Sequence, residues 1–63
     1  MNKELRDRHG KLIGTLTILR MTQELRDRNG KYLGTYDVRA DETRDRHGVL
    51  VGSGNLLTTL LDF

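Results

Sequence analysis

One block of sequence occurs three times in this chain, and the repetition constrains the fold more than any other feature. Glu4–Thr15 is followed by Glu24–Thr35 and, less closely, by Glu42–Ser53. The offsets are twenty residues, from Glu4 to Glu24, and then eighteen, from Glu24 to Glu42. The glutamate, two arginines with an aspartate between them, and two glycines hold their places in every copy. Each copy reads as a β-hairpin. Asp7, Arg8, His9 and Gly10 suit a type I turn, with aspartate at the first position and glycine at the fourth, where φ is positive. The pattern recurs at Asp27–Gly30 and Asp45–Gly48. A turn followed by a left-handed glycine leads into a hairpin with a G1 bulge. The flanking segments alternate and carry β-branched or aromatic residues, as strands do.

Sixty-three residues allow one small domain, 1–63, with copies at about 4–16, 24–36 and 42–54 and a tail at 55–63. Apolar residues are 35% of the chain, few for a stable lone monomer. Small domains usually close such a deficit with disulfides, metals or oligomerisation. Cysteine is absent, and His9 and His47 are the only imidazoles, so neither disulfides nor a metal centre is expected. Oligomerisation remains, and a homo-oligomer, at least a dimer, is the expectation. The absence of cysteine suits a reducing cytoplasm. The charged N-terminus shows no secretory signal, and no apolar run is long enough to span a membrane.

Taking Asp7 as opposite Lys11, alternation puts Leu5, Asp7, Lys11, Ile13 and Thr15 on one face of the first hairpin. Glu4, Arg6, Leu12, Gly14 and Leu16 fall on the other. Both faces are half apolar and half charged, which again points to packing between subunits. The second glycine of each copy (Gly14, Gly34, Gly52) sits inside a strand. It marks either a bulge or close backbone approach, or a simple strand kink. Thr17 to Gln23 lacks glycine and proline, so the strands there are expected to run long and bend without a tight turn. Residues 38–41 form a loop. In the tail, Asn55 can cap a short helix carrying Leu56, Leu57, Leu60 and Leu61 on one stripe. A strand is the alternative, since both threonines favour it. Either way, the tail is expected to pack on the sheet or on a neighbouring subunit.

These turns, with the apolar-apolar-glycine step after each, resemble the bacterial β-flower proteins. The matching residues are Asp7, Gly10 and Gly14, then Asp27, Gly30 and Gly34, then Asp45, Gly48 and Gly52. The resemblance covers nearly all of the chain except the tail, and implies hairpins arranged around a pseudo-symmetry axis. The arginines flanking each aspartate are not part of that family's pattern.

His9 and His47 are the tempting catalytic candidates, but Asn29 occupies the same turn position in the second copy. Such a position is chosen for backbone conformation, not for proton transfer. No phosphate loop, nucleophile elbow or nucleophile–base pair is present, so no catalytic residue is assigned and no enzyme or cofactor is expected. The arginine pairs are the better evidence: Arg6 and Arg8, Arg26 and Arg28, Arg44 and Arg46. On one reading the aspartates pair with them, cap the turns and leave a solvated surface. On the other, oligomerisation gathers guanidinium groups around an anion, since their planar fork grips phosphate or carboxylate. Tyr32 and Tyr36, placed on the Arg26 face by this alternation, could supply stacking surface for a base. Net charge is only +2, with nine acidic residues among eleven basic ones, so nucleic acid is the less expected partner.

The expected fold is all-β: a meander of about six short strands in three hairpins, with a short C-terminal helix, assembled as a homo-oligomer. The expected function is non-enzymatic binding and sequestration of a small phosphorylated or nucleotide-derived ligand. In size and style the chain is similar to the sponge proteins that phages use against nucleotide-signalled immunity. A structural or assembly role without a small-molecule ligand is the alternative, and nucleic-acid binding the third.

Overall fold

The computed structural model describes residues 1–61. The chain folds into one antiparallel sheet of six strands whose spatial order follows the chain order. They are β1 (Asn2–Arg6), β2 (Leu12–Ile18), β3 (Thr22–Asp27), β4 (Tyr32–Asp37), β5 (Glu42–Asp45) and β6 (Leu50–Ser53). The tail forms a single 3-10 turn, Leu57–Leu60. The expected C-terminal helix is therefore no more than this turn within the described residues; positions 62 and 63 of the tail lie outside them.

The turns follow from their residues. Gly10, Gly30 and Gly48 each donate to the carbonyl of the aspartate three residues back, at 3.0 Å, and each has positive φ. Asp7, Asp27 and Asp45 donate in return to Lys11, Lys31 and Val49 at 2.9–3.0 Å. This is a type I turn closed by a left-handed glycine, a conformation that glycine adopts without steric cost. The extra residue next to each turn reappears as a break in strand register, between Leu5 and Arg6, Leu25 and Arg26, and Thr43 and Arg44. The β2–β3 connection differs from its expectation. It spans only Leu19–Met21, held by a hydrogen bond from the Leu19 amide to the Thr22 carbonyl at 2.8 Å. The loop at 38–41 is as expected.

The register breaks overturn the alternation argument. Leu5 pairs with Gly14 and Arg6 with Leu12, so Ile13 is the unpaired residue of a bulge. Leu33 and Val51 hold the same place in the later hairpins. One face therefore carries the rows Lys3–Leu16–Leu25–Gly34–Asp45 and Ile18–Gln23–Tyr36–Thr43–Gly52. The opposite face carries Glu4–Thr15–Arg26–Tyr32 and Thr17–Glu24–Thr35–Arg44–Leu50.

The first of these faces is the one the tail covers. After β6, Gly54 takes φ +84 and turns the chain off the sheet. Thr43, fully buried, then anchors the crossing. Its hydroxyl donates to the Gly54 carbonyl at 2.7 Å and accepts from the Leu56 amide at 2.9 Å. Asn55 bonds to Gln23 on β3 at 3.1 Å and accepts from the Leu57 amide at 3.2 Å. Leu25 and Leu57 are the buried apolar side chains of the described residues, and they form the core. Around them, the leucines of the tail lie on bare glycine backbone. A β-carbon on Gly14 would stand 2.9 Å from Leu61, on Gly34 2.5 Å from Leu60, and on Gly52 2.9 Å from Leu56. Gly14 and Gly34 also abut the neighbouring strand, where the same β-carbon would meet the carbonyls of Arg26 and Arg44 at 2.7 and 2.5 Å. Close approach, and not positive φ, explains these strand glycines.

Two substitutions separate these contributions. Gly34→Ala pushes a methyl group into a backbone carbonyl that cannot yield, and is expected to cost about 1–3 kcal/mol. Gly52→Ala meets only the flexible end of Leu56 and should cost less. Thr43→Val keeps the shape but orphans the Gly54 carbonyl and the Leu56 amide, with an expected loss of about 1–3 kcal/mol. Urea unfolding of the three variants gives the ranking. Equal losses for the two glycine variants would show that tail contact alone governs these positions.

Candidate functional site

The conserved pattern within the repeats first has to be separated into what builds the turns and what is left over. Each turn aspartate uses one carboxylate oxygen twice. Asp7 Oδ1 accepts from the amides of His9 (2.8 Å) and Lys11 (3.0 Å). Asp27 Oδ1 accepts from Asn29 (2.8 Å) and Lys31 (2.9 Å), and Asp45 Oδ1 from His47 (2.8 Å) and Val49 (3.1 Å). Histidine and asparagine at the third turn position thus present the same backbone amide to the same acceptor. The Lys31 amide above all, with the Asn29 amide and nearby cations, holds Asp27 below the ordinary carboxylate range. The Val49 and His47 amides do the same for Asp45.

The first arginine of each copy is also occupied. Arg6, Arg26 and Arg44 reach from their strands and donate to the carbonyls of Gly10, Gly30 and Gly48, at 2.9, 3.4 and 3.0 Å. Glu4 bridges Arg6 at 3.0 Å and Glu42 bridges Arg44 at 3.5 Å, both pairs exposed. Such surface pairs add little stability. The guanidinium of Arg26 instead lies 5.6 Å from the ring centroid of Tyr32. The pairing puts the three arginines on one face, but on a diagonal: Arg26 is level with Glu4 through Thr15, and Arg44 with Glu24 through Thr35. Two strand spacings across and two residues along separate successive arginines by about 12 Å. Each is directed to its own turn.

Tyr32 lies on this arginine face, and its hydroxyl contacts that of Thr35. Tyr36 does not. The bulge at Leu33 shifts it to the tail-covered face, beside Gln23 and Thr43, where it donates to Asp41 at 2.7 Å. That bond is the main reason its phenol proton is held more tightly than usual.

The second arginines, Arg8, Arg28 and Arg46, sit in the turns themselves and are exposed. Arg46 donates to His47 Nε2 at 3.2 Å. Arg28 lines a cleft of about 460 Å³ between the first two turns, together with Lys11. Alternation and arginine counting missed Lys11. The signal was present in the repeat, where lysine follows the turn glycine in the first two copies and Val49 replaces it in the third.

Valine at that position matters because β6 is an edge strand. Val49, Leu50 and Val51 are 59%, 48% and 39% exposed, a continuous apolar run that leads into the sheet's last strand. The other edge, β1, carries Lys3, Glu4 and Arg6. A further exposed apolar group, Leu19, Met21 and Val38, lies on the connectors opposite the turns. Among the described residues no cluster of His, Asp or Glu could hold a metal ion, and no helix is long and apolar enough to cross a membrane.

The depressed carboxylates set a pH dependence. A folded-state pKa below the unfolded value contributes stability above the ordinary carboxylate range, lost as pH falls through the folded-state value. Urea midpoints should therefore drop on acidification. Asn at positions 27 and 45 retains an acceptor oxygen without the charge. The Asp27→Asn, Asp45→Asn double variant should show a flatter acid limb and a lower midpoint at neutral pH. An acid limb as steep as that of the parent would remove these two groups as its source.

No known protein family, curated protein or solved structure matches this chain, so its function is read from its own residues.

Proposed function

We propose that the chain is a non-enzymatic assembly module of the reducing cytoplasm that works as a homo-oligomer, joined through β6. The observation that carries this reading is Val49. A free sheet edge is normally guarded by charge, lysine especially. The equivalent residues Lys11 and Lys31 lead into the inner strands β2 and β4; where the third hairpin leads into the edge strand β6, the lysine is gone. The apolar run Val49–Val51 is thus exposed where a second strand can add. The sparse core, with Leu25 and Leu57 as its buried apolar side chains, supports the same conclusion, because a small monomer gains stability by association. Pairing of β6 with β6 of a second copy is isologous and closes as a dimer. Pairing of β6 with β1 would propagate without closure, and β1 is guarded by Lys3, Glu4 and Arg6.

Sedimentation velocity tests this directly. The parent should sediment as a dimer at micromolar concentration, and Val49→Lys combined with Val51→Lys as a folded monomer. Val49→Lys restores the residue that the other two hairpins carry, so loss of folding is not expected from it. A parent that stays monomeric across the concentration range would refute the assembly.

Sequestration of a small phosphorylated or nucleotide-derived ligand is the second reading. In its favour, Arg26 over Tyr32 makes a flat cationic and aromatic plate on which a base can stack. Arg6 and Arg44 are bridged by Glu4 and Glu42 on the same face, whereas Arg26 lies over a ring, so the plate is centred on one arginine. Calorimetry with mono-, di- and cyclic nucleotides should then give saturable heat that Arg26→Gln abolishes. Absence of heat from the whole panel would dispose of this reading.

A further inference from the structure

The cleft between the first two turns combines features that the arginine face lacks. Its floor is apolar, formed by the bulge residues Ile13 and Leu33 together with Leu60 of the tail. The bulges create this floor: each supplies an extra side chain next to a glycine on which a tail leucine packs. At the rim stand Lys11 from the first turn and Arg28 from the second. Among the described residues, neither side chain makes a hydrogen bond or an ion pair. Asp7 and Asp27 also border the cleft, but each binds two backbone amides of its own turn through one oxygen, which directs much of its charge inward.

The copies differ at this point in an informative way. In the third turn, Arg46 is held by the imidazole of His47. In the second turn Asn29 replaces that histidine, and Arg28 remains available at the cleft rim. A lysine and an arginine lining one cleft with three apolar side chains call for a ligand of matching polarity. The floor takes an apolar body, and the two cations take one anionic end, with the guanidinium fork able to bind it through two oxygens.

We propose that this cleft binds a small amphipathic anion: an apolar body, such as a single aromatic ring, bearing one terminal carboxylate or phosphate. The site is independent of assembly through β6, which lies at the far edge of the sheet. Dimer formation and ligand binding can therefore fail separately.

Amide chemical shifts of the full-length ¹⁵N-labelled chain, titrated with phenylacetate and with phenyl phosphate, provide the test. Saturable shifts are expected at the first two turns and at Ile13, Leu33 and Leu60. Arg28→Gln should weaken binding about tenfold, the scale of one charge-assisted hydrogen bond. Lys11→Gln should weaken it in the same direction, while Arg46→Gln, altered at the equivalent position outside the cleft, should leave it unchanged. Preference for the carboxylate or the phosphate probe identifies the anionic end. The proposal is overturned by unsaturable shifts or by binding that Arg28→Gln leaves intact. Equal affinity for phenethylamine, which would put the carboxylates in charge, also overturns it. So does inorganic phosphate binding as tightly as phenyl phosphate, since the apolar floor would then contribute nothing.

Discussion

A single sheet has two faces and no interior until something is laid against it, and among the described residues the cover is the segment from Gly54 to Leu61. What allows that cover to sit close is the contact of leucine side chains with bare glycine backbone, Leu61 on Gly14, Leu60 on Gly34 and Leu56 on Gly52. Larger residues at these three glycines would hold the tail away, and Leu25 would lose its burial. The Thr43 hydroxyl sets where the tail begins its crossing by bonding to both sides of the bend at Gly54 and Leu56. Core, cleft floor and tail placement thus depend on one close approach repeated along the sheet.

This dependence also explains why the third copy departs from the other two. Leucine occupies the position after the glutamate in the first two copies; Thr43 replaces it because a hydroxyl is needed there to hold the tail. The strand arm that continues as Leu16–Ile18 after the first glycine has no counterpart beyond Ser53, since the chain leaves the sheet at Gly54. Similar sequences therefore serve different duties according to whether the next strand exists.

Much of this was legible in the sequence. The aspartate and glycine of each turn act over four or five residues, so their geometry can be read from spacing alone, and the all-β meander follows. Strand glycines were legible as a close approach, one of two readings. The faces were not legible, because each hairpin hides one unpaired residue. Counting by twos through Ile13 or Leu33 sends every later side chain to the wrong side, and Tyr36 is the clearest casualty. The presence of Lys11 and Arg28 at one cleft was equally hidden, since it depends on how neighbouring turns stand in space. For the tail, leucine spacing could indicate a helical stripe but not that it would close as a single 3-10 turn.

The strand order has a bearing on how the chain reaches this state. Every strand pairs with its neighbour in sequence, so the sheet can form by a succession of short loop closures, each of low entropic cost. The tail is the exception: Asn55 must find Gln23, thirty-two residues away, and Leu61 must find Gly14. The residues that cover the sheet follow its last strand in chain order, so the ladder of strands can form before its cover arrives. The newborn sheet emerges uncovered, and the segment behind β6 is the one that gives it an inside.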